Sequence, residues 1–137
     1  MQITEVKDKN IILARYIPEQ HAWREGLNFF SNDNEFVQAG TWGYNKNKTL
    51  LAHSHNKVKR ETDITQEVIF VKKGKILAQI YNFSKQLVNE IEVSSGDIII
   101  LLYGGHGYKI LEDNTQVLEI KNGPYPGAEK DRKRFNG

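Results

Sequence analysis

Short runs of β-branched, aromatic and aliphatic residues recur along the chain, many of them about ten residues apart, and clusters of Gly, Asn, Asp and Ser separate them. Runs of this length and spacing are typical of strands in a sandwich or a closed barrel, and no strong amphipathic helix interrupts them. The predicted strands span residues 10–17, 37–44, 49–55, 67–72, 75–82, 88–93, 97–103, 106–111 and 115–121. We therefore expect an all-β protein.

Two short sequences that favour turns separate some of these runs. Gly74 ends the sequence Lys-Lys-Gly between EVIFV and KILAQIY, where a tight hairpin turn needs the positive φ that glycine adopts freely. SSGD at 94–97 leads into IIILLY at 98–103, which is apolar at both alternating sets of positions. Both faces of that run should be covered, one by the barrel interior and one by another sheet or a second subunit. Together with the apolar VIF run, this pattern predicts a homodimer.

The length of the chain sets its domain organisation. With 137 residues it suffices for one domain with a hydrophobic core and is too short for two ordinary domains. We expect an N-terminal strand and capping segment over 1–36, a β-barrel over 37–122 and an extended C-terminal tail over 123–137. The tail holds two of the three prolines and an alternating charge run.

Composition excludes several classes of function. The chain has no cysteine, which rules out disulfides, thiolate metal sites and cysteine nucleophiles, so a bound metal must use His, Asp or Glu. A formal net charge of +2 is far from the basic excess of a dedicated nucleic-acid binder. No apolar run approaches the roughly 18 residues that span a bilayer, and the N-terminus lacks a secretory pattern, so we expect a cytoplasmic protein without a membrane partner.

The histidines suggest a metal site. Residues i and i+2 of a strand point to the same face, so His53 and His55 in LLAHSHN can present both imidazoles to one point. The alternative is a pair of exposed surface histidines. Glu67 shares its strand face with Ile69 and Val71 and points inward if those two form core, where a carboxylate needs a cation or hydrogen-bond donors. The alternative for Glu67 is a solvated acid at the strand end.

The order and spacing of these residues resembles the two motifs of the cupin superfamily, G-x5-H-x-H-x3,4-E-x6-G and G-x5-P-x-G-x2-H-x3-N. The resemblance covers about residues 37–121, and the matching positions are His53, His55, Glu67, Gly74, Gly96, Gly104 and His106. The chain departs from the pattern in having eleven residues between His55 and Glu67, Leu102 in place of the proline, and one residue fewer before the last histidine. The long spacer keeps Glu61 open as an alternative to Glu67.

The resemblance implies a double-stranded β-helix, the jelly-roll barrel of cupins, with one divalent ion (Fe, Mn, Ni, Zn or Co) held by His53, His55, Glu67 and His106. Three imidazoles and one carboxylate leave two open positions on an octahedral ion for a substrate. We expect an enzyme of the isomerase or epimerase type that acts on a small anionic or sugar-derived molecule. An Fe(II)-dependent dioxygenase and a non-enzymatic metal- or ligand-binding or sensing protein are the alternatives. The GGHG, LEDN and GPYPG stretches are similar to small single-domain bacterial cupins associated with surface-polysaccharide genes, which points to carbohydrate or nucleotide-sugar metabolism.

Positive charge concentrates between the proposed ligands. Five cations against one acid give residues 46–61 a local net charge of +4. Lys57, Lys59 and Arg60 are therefore candidates for attracting a carboxylate or phosphate, and the alternative is a solvated loop. Tyr103 and Tyr108 are further candidates for lining the substrate cavity, although strand aromatics often serve packing alone.

Overall fold

The computed structural model describes residues 2–135, which form an all-β structure with two single-turn helices. The strands are β1 (Thr4–Asp8), β2 (Ile11–Ile17), β3 (Gly26–Phe29), β4 (Gly40–Gly43), β5 (Glu67–Lys73), β6 (Lys75–Tyr81), β7 (Leu87–Ser94), β8 (Ile98–Leu101), β9 (Gly105–Ile110) and β10 (Gln116–Lys121). The helices are α1 (Glu19–Ala22) and α2 (Ala128–Asp131). The prediction of an all-β protein is confirmed.

The strands form three antiparallel sheets. The largest has the order β1-β2-β8-β5-β10, a second has the order β7-β6-β9, and β3 and β4 form a separate hairpin. Within residues 2–135 none of these sheets closes on itself, so β9 and β10 each have one edge without a strand partner. The barrel predicted from the sequence is therefore not closed by hydrogen bonds in the described part of the chain.

Strand alternation places the main core between the two larger sheets. Ile69 and Val71 of β5 are 2% and 0% exposed, and they pack with Ile76, Ala78 and Ile80 of β6. The predicted hairpin between β5 and β6 is wrong, because β5 pairs with β8 and β10 whereas β6 pairs with β7 and β9. The tight turn is present, with a φ of +85° at Gly74, but it leads the chain from the larger sheet into the smaller one. Burial of these aliphatic side chains fixes which face of β5 points inward, and Glu67 lies on that same face.

The outer face of β8 is covered by the chain itself. Ile98, Ile100 and Leu102 point away from the main core and are buried in a second apolar cluster with Ile17 and Ala22. Val37 and Ala39 belong to the same cluster. The prediction that both faces of IIILLY are covered is confirmed, but the cover comes from segment 17–39 rather than from a partner. This removes the reason for the predicted homodimer at β8, and the dimer itself stays a prediction.

Two strand predictions need correction. Residues 49–55 do not form the predicted strand. The whole segment 44–66 lies outside regular secondary structure, and Leu51 is 84% exposed, so no neighbouring strand or core contact within the described residues holds it extended. Of the predicted strand 37–44, only Gly40–Gly43 is extended, and it pairs with β3, which the sequence analysis did not predict. The N-terminal strand β1 was also missed; it pairs with β2 along the edge of the large sheet.

The C-terminal segment differs from the extended tail that was predicted. It contains α2, and Asp131 of that helix accepts a bond from Lys121 of β10, with 3.2 Å between Oδ2 and Nζ. Phe135 then packs edge-on against Tyr81 of β6, with 5.1 Å between ring centroids. The tail thus runs from β10 back to the smaller sheet. Neither of the helices in the described residues is long and apolar enough to cross a membrane.

Candidate metal and substrate site

Glu67 is a buried acid on the inner face of the large sheet. It is the first residue of β5 and only 7% exposed, and it follows the inward alternation of Ile69 and Val71. On the neighbouring strand β10, Lys121 stands directly opposite Glu67 and Glu119 directly opposite Ile69. Because opposed residues of an antiparallel pair point to the same side, β10 adds a second carboxylate and an ammonium group to this inner face.

His106 meets Glu67 from the facing sheet. It lies on β9 opposite Ile80, whose side chain is part of the main core, so the imidazole also points between the sheets. Its Nε2 is 2.7 Å from Oε2 of Glu67, and its side chain is 32% exposed. Tyr108, two residues further along β9, follows on the same face, with its ring centroid 5.4 Å from that of His106. The two sheets thus bring a carboxylate and an imidazole into direct contact at the open side of the core.

Burial and neighbouring charges shift the pKa values of four residues in this cluster. Burial opposes ionisation of Glu67, but the hydrogen bond and charge of His106 and the hydrogen bond with Glu119 outweigh it, so the pKa of Glu67 lies below its ordinary value. Burial and the adjacent charge of Glu67 raise the pKa of Glu119. The same two causes raise the pKa of Tyr108. Lys121 has a raised pKa, chiefly because Asp131 accepts its hydrogen bond.

His53 and His55 lie apart from this cluster. Both are exposed in segment 44–66, with 5.1 Å between their ring centroids and with Nδ1 of His53 3.2 Å from the carbonyl oxygen of Leu51. The two imidazoles are therefore neighbours, but they do not share a strand face as predicted. Across residues 2–135, no group of three or more His, Asp or Glu side chains is arranged to hold a metal ion. Of the four predicted ligands, the structure brings Glu67 and His106 together and leaves His53 and His55 as a separate pair.

The remaining candidates fall in three places. Lys57, Lys59 and Arg60 are exposed in segment 44–66, where Lys59 forms an ion pair of 3.0 Å with Glu61. Glu61 is exposed in the same segment. Of the two acids considered for the fourth ligand, Glu67 is the one that contacts His106. Tyr108 lies in the cluster, beside the ring of His106. Tyr103 borders a different cleft, where the centroid of its ring lies 6.3 Å from that of Phe83.

Glu119 and Lys121 are the site residues that the sequence analysis missed. The strand 115–121 was predicted, and its alternation offered a signal, since Glu119 and Lys121 share one face with Val117 while Leu118 and Ile120 share the other. Either face can be the inner one on that pattern. Pairing of β10 with β5 decides it in favour of the charged face.

Comparison with protein-family models, with curated proteins and with solved structures finds no match to this chain. The likeness to cupins therefore rests on the motif residues themselves.

Proposed function

We propose that the protein is a metal-dependent cupin and an enzyme of the isomerase or epimerase type, acting on a small anionic or sugar-derived substrate. The observation that carries this proposal is the contact between Glu67 and His106, the acid of the first motif and the histidine of the second, which come from facing sheets. The two residues are 39 positions apart in the chain and contact each other across the sheets, and the resemblance assigns both to one ion. Glu119, Tyr108 and Lys121 surround this contact.

The strand order supports a jelly roll. Strands β5, β8 and β10 lie in one sheet and β6, β7 and β9 in the other, which is how the last six strands of a jelly roll are divided between its two sheets. The first two strands of such a fold would occupy the free edges of β10 and β9. Segment 44–66 directly precedes β5, so it is the part of the chain suited to the edge of β9. We propose that residues 49–55 dock there in the metal-bound protein.

The distance between the donor atoms of Glu67 and His106 suits coordination of one ion. Two ligands that each lie about 2.1 Å from the same ion, at right angles, have donor atoms about 3 Å apart. The 2.7 Å between Oε2 of Glu67 and Nε2 of His106 is close to that separation. Docking of segment 44–66 along β9 would add His53 and His55 on the side where His106 is 32% exposed. Three imidazoles and a carboxylate suit Fe, Mn, Ni, Zn or Co.

The surroundings of the ligand pair favour isomerisation over oxygenation. When bound, a divalent ion polarises a carbonyl oxygen and stabilises the negative charge that develops on it. The ammonium of Lys121, whose hydrogen bond Asp131 accepts, adds positive charge beside the pair, which favours an anionic substrate. Glu119 adds a second carboxyl group, and the site is therefore charged and hydrogen-bonding rather than the apolar pocket that suits dioxygen. A dioxygenase and a binding or sensing protein remain the alternatives, distinguished by turnover.

Loss of a single proposed ligand is expected to remove the metal. In protein purified without an affinity-tag nickel step, His55→Ala and His106→Ala should each lower metal affinity by more than about a hundredfold, since even outer-shell changes cost 10- to 100-fold. His21→Ala is the matched control, because His21 contacts Arg24 instead, with 2.7 Å between Nδ1 and Nη2. The measurement is metal per chain by elemental mass spectrometry, followed by activity screening with sugar phosphates and nucleotide sugars.

Equal metal content in all three histidine variants would contradict the proposed site. Loss of metal in Glu61→Ala with retention in Glu67→Ala would move the fourth ligand to Glu61. Stoichiometric metal without turnover of any sugar phosphate or nucleotide sugar would favour the binding or sensing protein.

The cations of segment 44–66 are expected to recruit the anionic substrate. Attraction by exposed charges is screened over about 8 Å at physiological ionic strength, so substrate affinity should weaken as salt rises. Arg60→Lys should also weaken binding, because it removes a planar donor fork suited to a carboxylate or phosphate. KM or Kd for the best substrate is compared among wild type, Arg60→Lys and the double variant of Lys57 and Lys59 to Ala at two salt concentrations. Unchanged values throughout would show these residues to be solvated surface only.

A further inference from the structure

A second cleft lies on the outer side of the large sheet, separate from the contact between Glu67 and His106. It has a volume of about 380 Å³ and is bordered by the β1–β2 turn, residues 32–35, the β6–β7 turn and the end of β8. Ile12 and the buried Leu102 belong to its apolar lining. Phe83 and Tyr103 add two aromatic rings, with centroids 6.3 Å apart and planes inclined by 53°. The rings therefore border an angled trough rather than a parallel-walled slot.

The aromatic side of the cleft is held in place by a buried asparagine. Asn82 is 8% exposed, and its Oδ1 accepts hydrogen bonds from the backbone N–H groups of Ser84 and Gln86, both at 3.0 Å. Its Nδ2 donates to Oε1 of Gln86 at 3.1 Å. These bonds fix the turn that carries Phe83, whose side chain is nevertheless 63% exposed. A large apolar ring is thus presented to solvent by an ordered turn, which lowers the entropy cost of stacking a ligand on it.

The opposite side is held by a buried ion pair. Arg15 donates from Nη1 and Nη2 to the two carboxylate oxygens of Glu35 at 2.8 and 2.9 Å, and both side chains are more than nine-tenths buried. Oε1 of Glu35 also accepts the backbone N–H of Asn32 at 3.0 Å. The turn that carries Asn32 and Asn34 is thereby fixed against the sheet. Both asparagines are exposed at the rim, as is Asn10 of the β1–β2 turn.

The charge of the cleft indicates what kind of ligand it suits. Glu35 is the charged residue among the described lining residues, and Arg15 pairs both of its carboxylate oxygens. The cleft therefore presents amide groups and aromatic rings without a net charge that would select an anion or a cation. Amides donate and accept hydrogen bonds equally well, so they suit hydroxyl groups.

We infer that this cleft binds a neutral saccharide unit. A sugar ring has a C–H face that packs on an aromatic ring and an edge of hydroxyl groups that reach amide side chains, which is the combination that Phe83, Tyr103 and the three asparagines provide. The inclined rings suit a puckered ring better than a flat base, which needs a parallel stack. The site is distinct from the proposed metal centre and does not depend on it.

Saturation-transfer NMR with simple glycosides tests the inference on the full-length protein. The probes are the methyl glycosides of glucose, galactose, mannose and N-acetylglucosamine, with adenosine as the flat-base comparison. At least one glycoside should receive saturation at its ring C–H protons, and Phe83→Ala should weaken its Kd about fivefold, as loss of one aromatic contact predicts. Phe29→Ala is the matched control and should leave the Kd unchanged, because Phe29 is 65% exposed on β3, outside the cleft.

Several outcomes would overturn the inference. These are no glycoside binding below about 10 mM, equal weakening by Phe83→Ala and Phe29→Ala, or binding of adenosine in preference to every glycoside. Asn34→Ala gives a second, independent reading, since it leaves both rings in place and should still weaken binding. His106→Ala should bind the glycoside as wild type does, whether or not the metal proposal holds. A loss of binding in that variant would place the sugar at the metal centre instead.

Discussion

Replacing Arg15 with methionine is expected to destabilise the protein by about 3–5 kcal/mol, the usual cost of leaving a buried charge without its partner. Arg15 is 4% exposed and pairs with Glu35, which is itself buried, and with Glu5 of β1 at 2.9 Å. Its Nη1 also donates to the carbonyl oxygen of Phe30 at 2.8 Å. Methionine fills a similar volume. The lost stability therefore comes from buried carboxylate and carbonyl groups that no longer have a hydrogen-bond donor, and not from a cavity.

The free energy of unfolding in denaturant measures this effect, with Lys59→Met as the matched control. Lys59 also forms an ion pair of about the same length, 3.0 Å to Glu61, but its side chain is 85% exposed, so its loss should cost less than about 1 kcal/mol. Combining Arg15→Met with Glu35→Leu should recover part of the stability, because the buried charge is then removed as well. Equal, small effects at Arg15 and Lys59 would show that segment 30–37 is not held by the ion pair.

Alternation within strands made much of the fold predictable. The turn at Gly74 and the strands on either side of it followed from two alternating runs, although these strands enter different sheets instead of pairing as a hairpin. The apolar character of IIILLY on both faces correctly indicated that both are buried. The inward direction of Glu67 followed from Ile69 and Val71, which occupy the same face and form core. These features depend on period-two patterns that are local in sequence, and such patterns are readable without a partner strand.

Features that depend on which strands meet were not predictable. Residues 49–55 contain apolar residues and were predicted as a strand, yet extended structure there needs a neighbour, and none pairs with it in residues 2–135. The cover for the outer face of β8 comes from segment 17–39, whose irregular pattern gives no periodic signal. Glu119 and Lys121 became site residues only through the register of β10 on β5. Long-range pairing, rather than propensity, decides each of these cases.

Because β9 has a free edge and segment 44–66 is exposed, we expect metal binding to change the conformation of this segment. His53 and His55 lie in that segment, whereas Glu67 and His106 already touch each other between the sheets. Under the proposed function, a bound ion needs both pairs, so it binds the docked form of segment 44–66 and not the exposed form. Metal should therefore shift the population toward the docked form by its differential affinity for the two.

Trypsin reports this shift directly, because Lys57, Lys59 and Arg60 are exposed cleavage sites in that segment. Cleavage follows the population of the open form when opening is fast, and metal at about a hundred times its Kd should reduce that population, and hence the cleavage rate, about a hundredfold. In the double variant of His53 and His55 to Ala, added metal should leave the rate unchanged, because the docked form no longer gains ligands from the segment. The cleavage rate is measured by mass spectrometry of the released peptides with and without metal. If wild type binds metal stoichiometrically and is still cut at these sites as fast as the metal-free protein, the ion is held without segment 44–66, and the four-ligand centre is wrong.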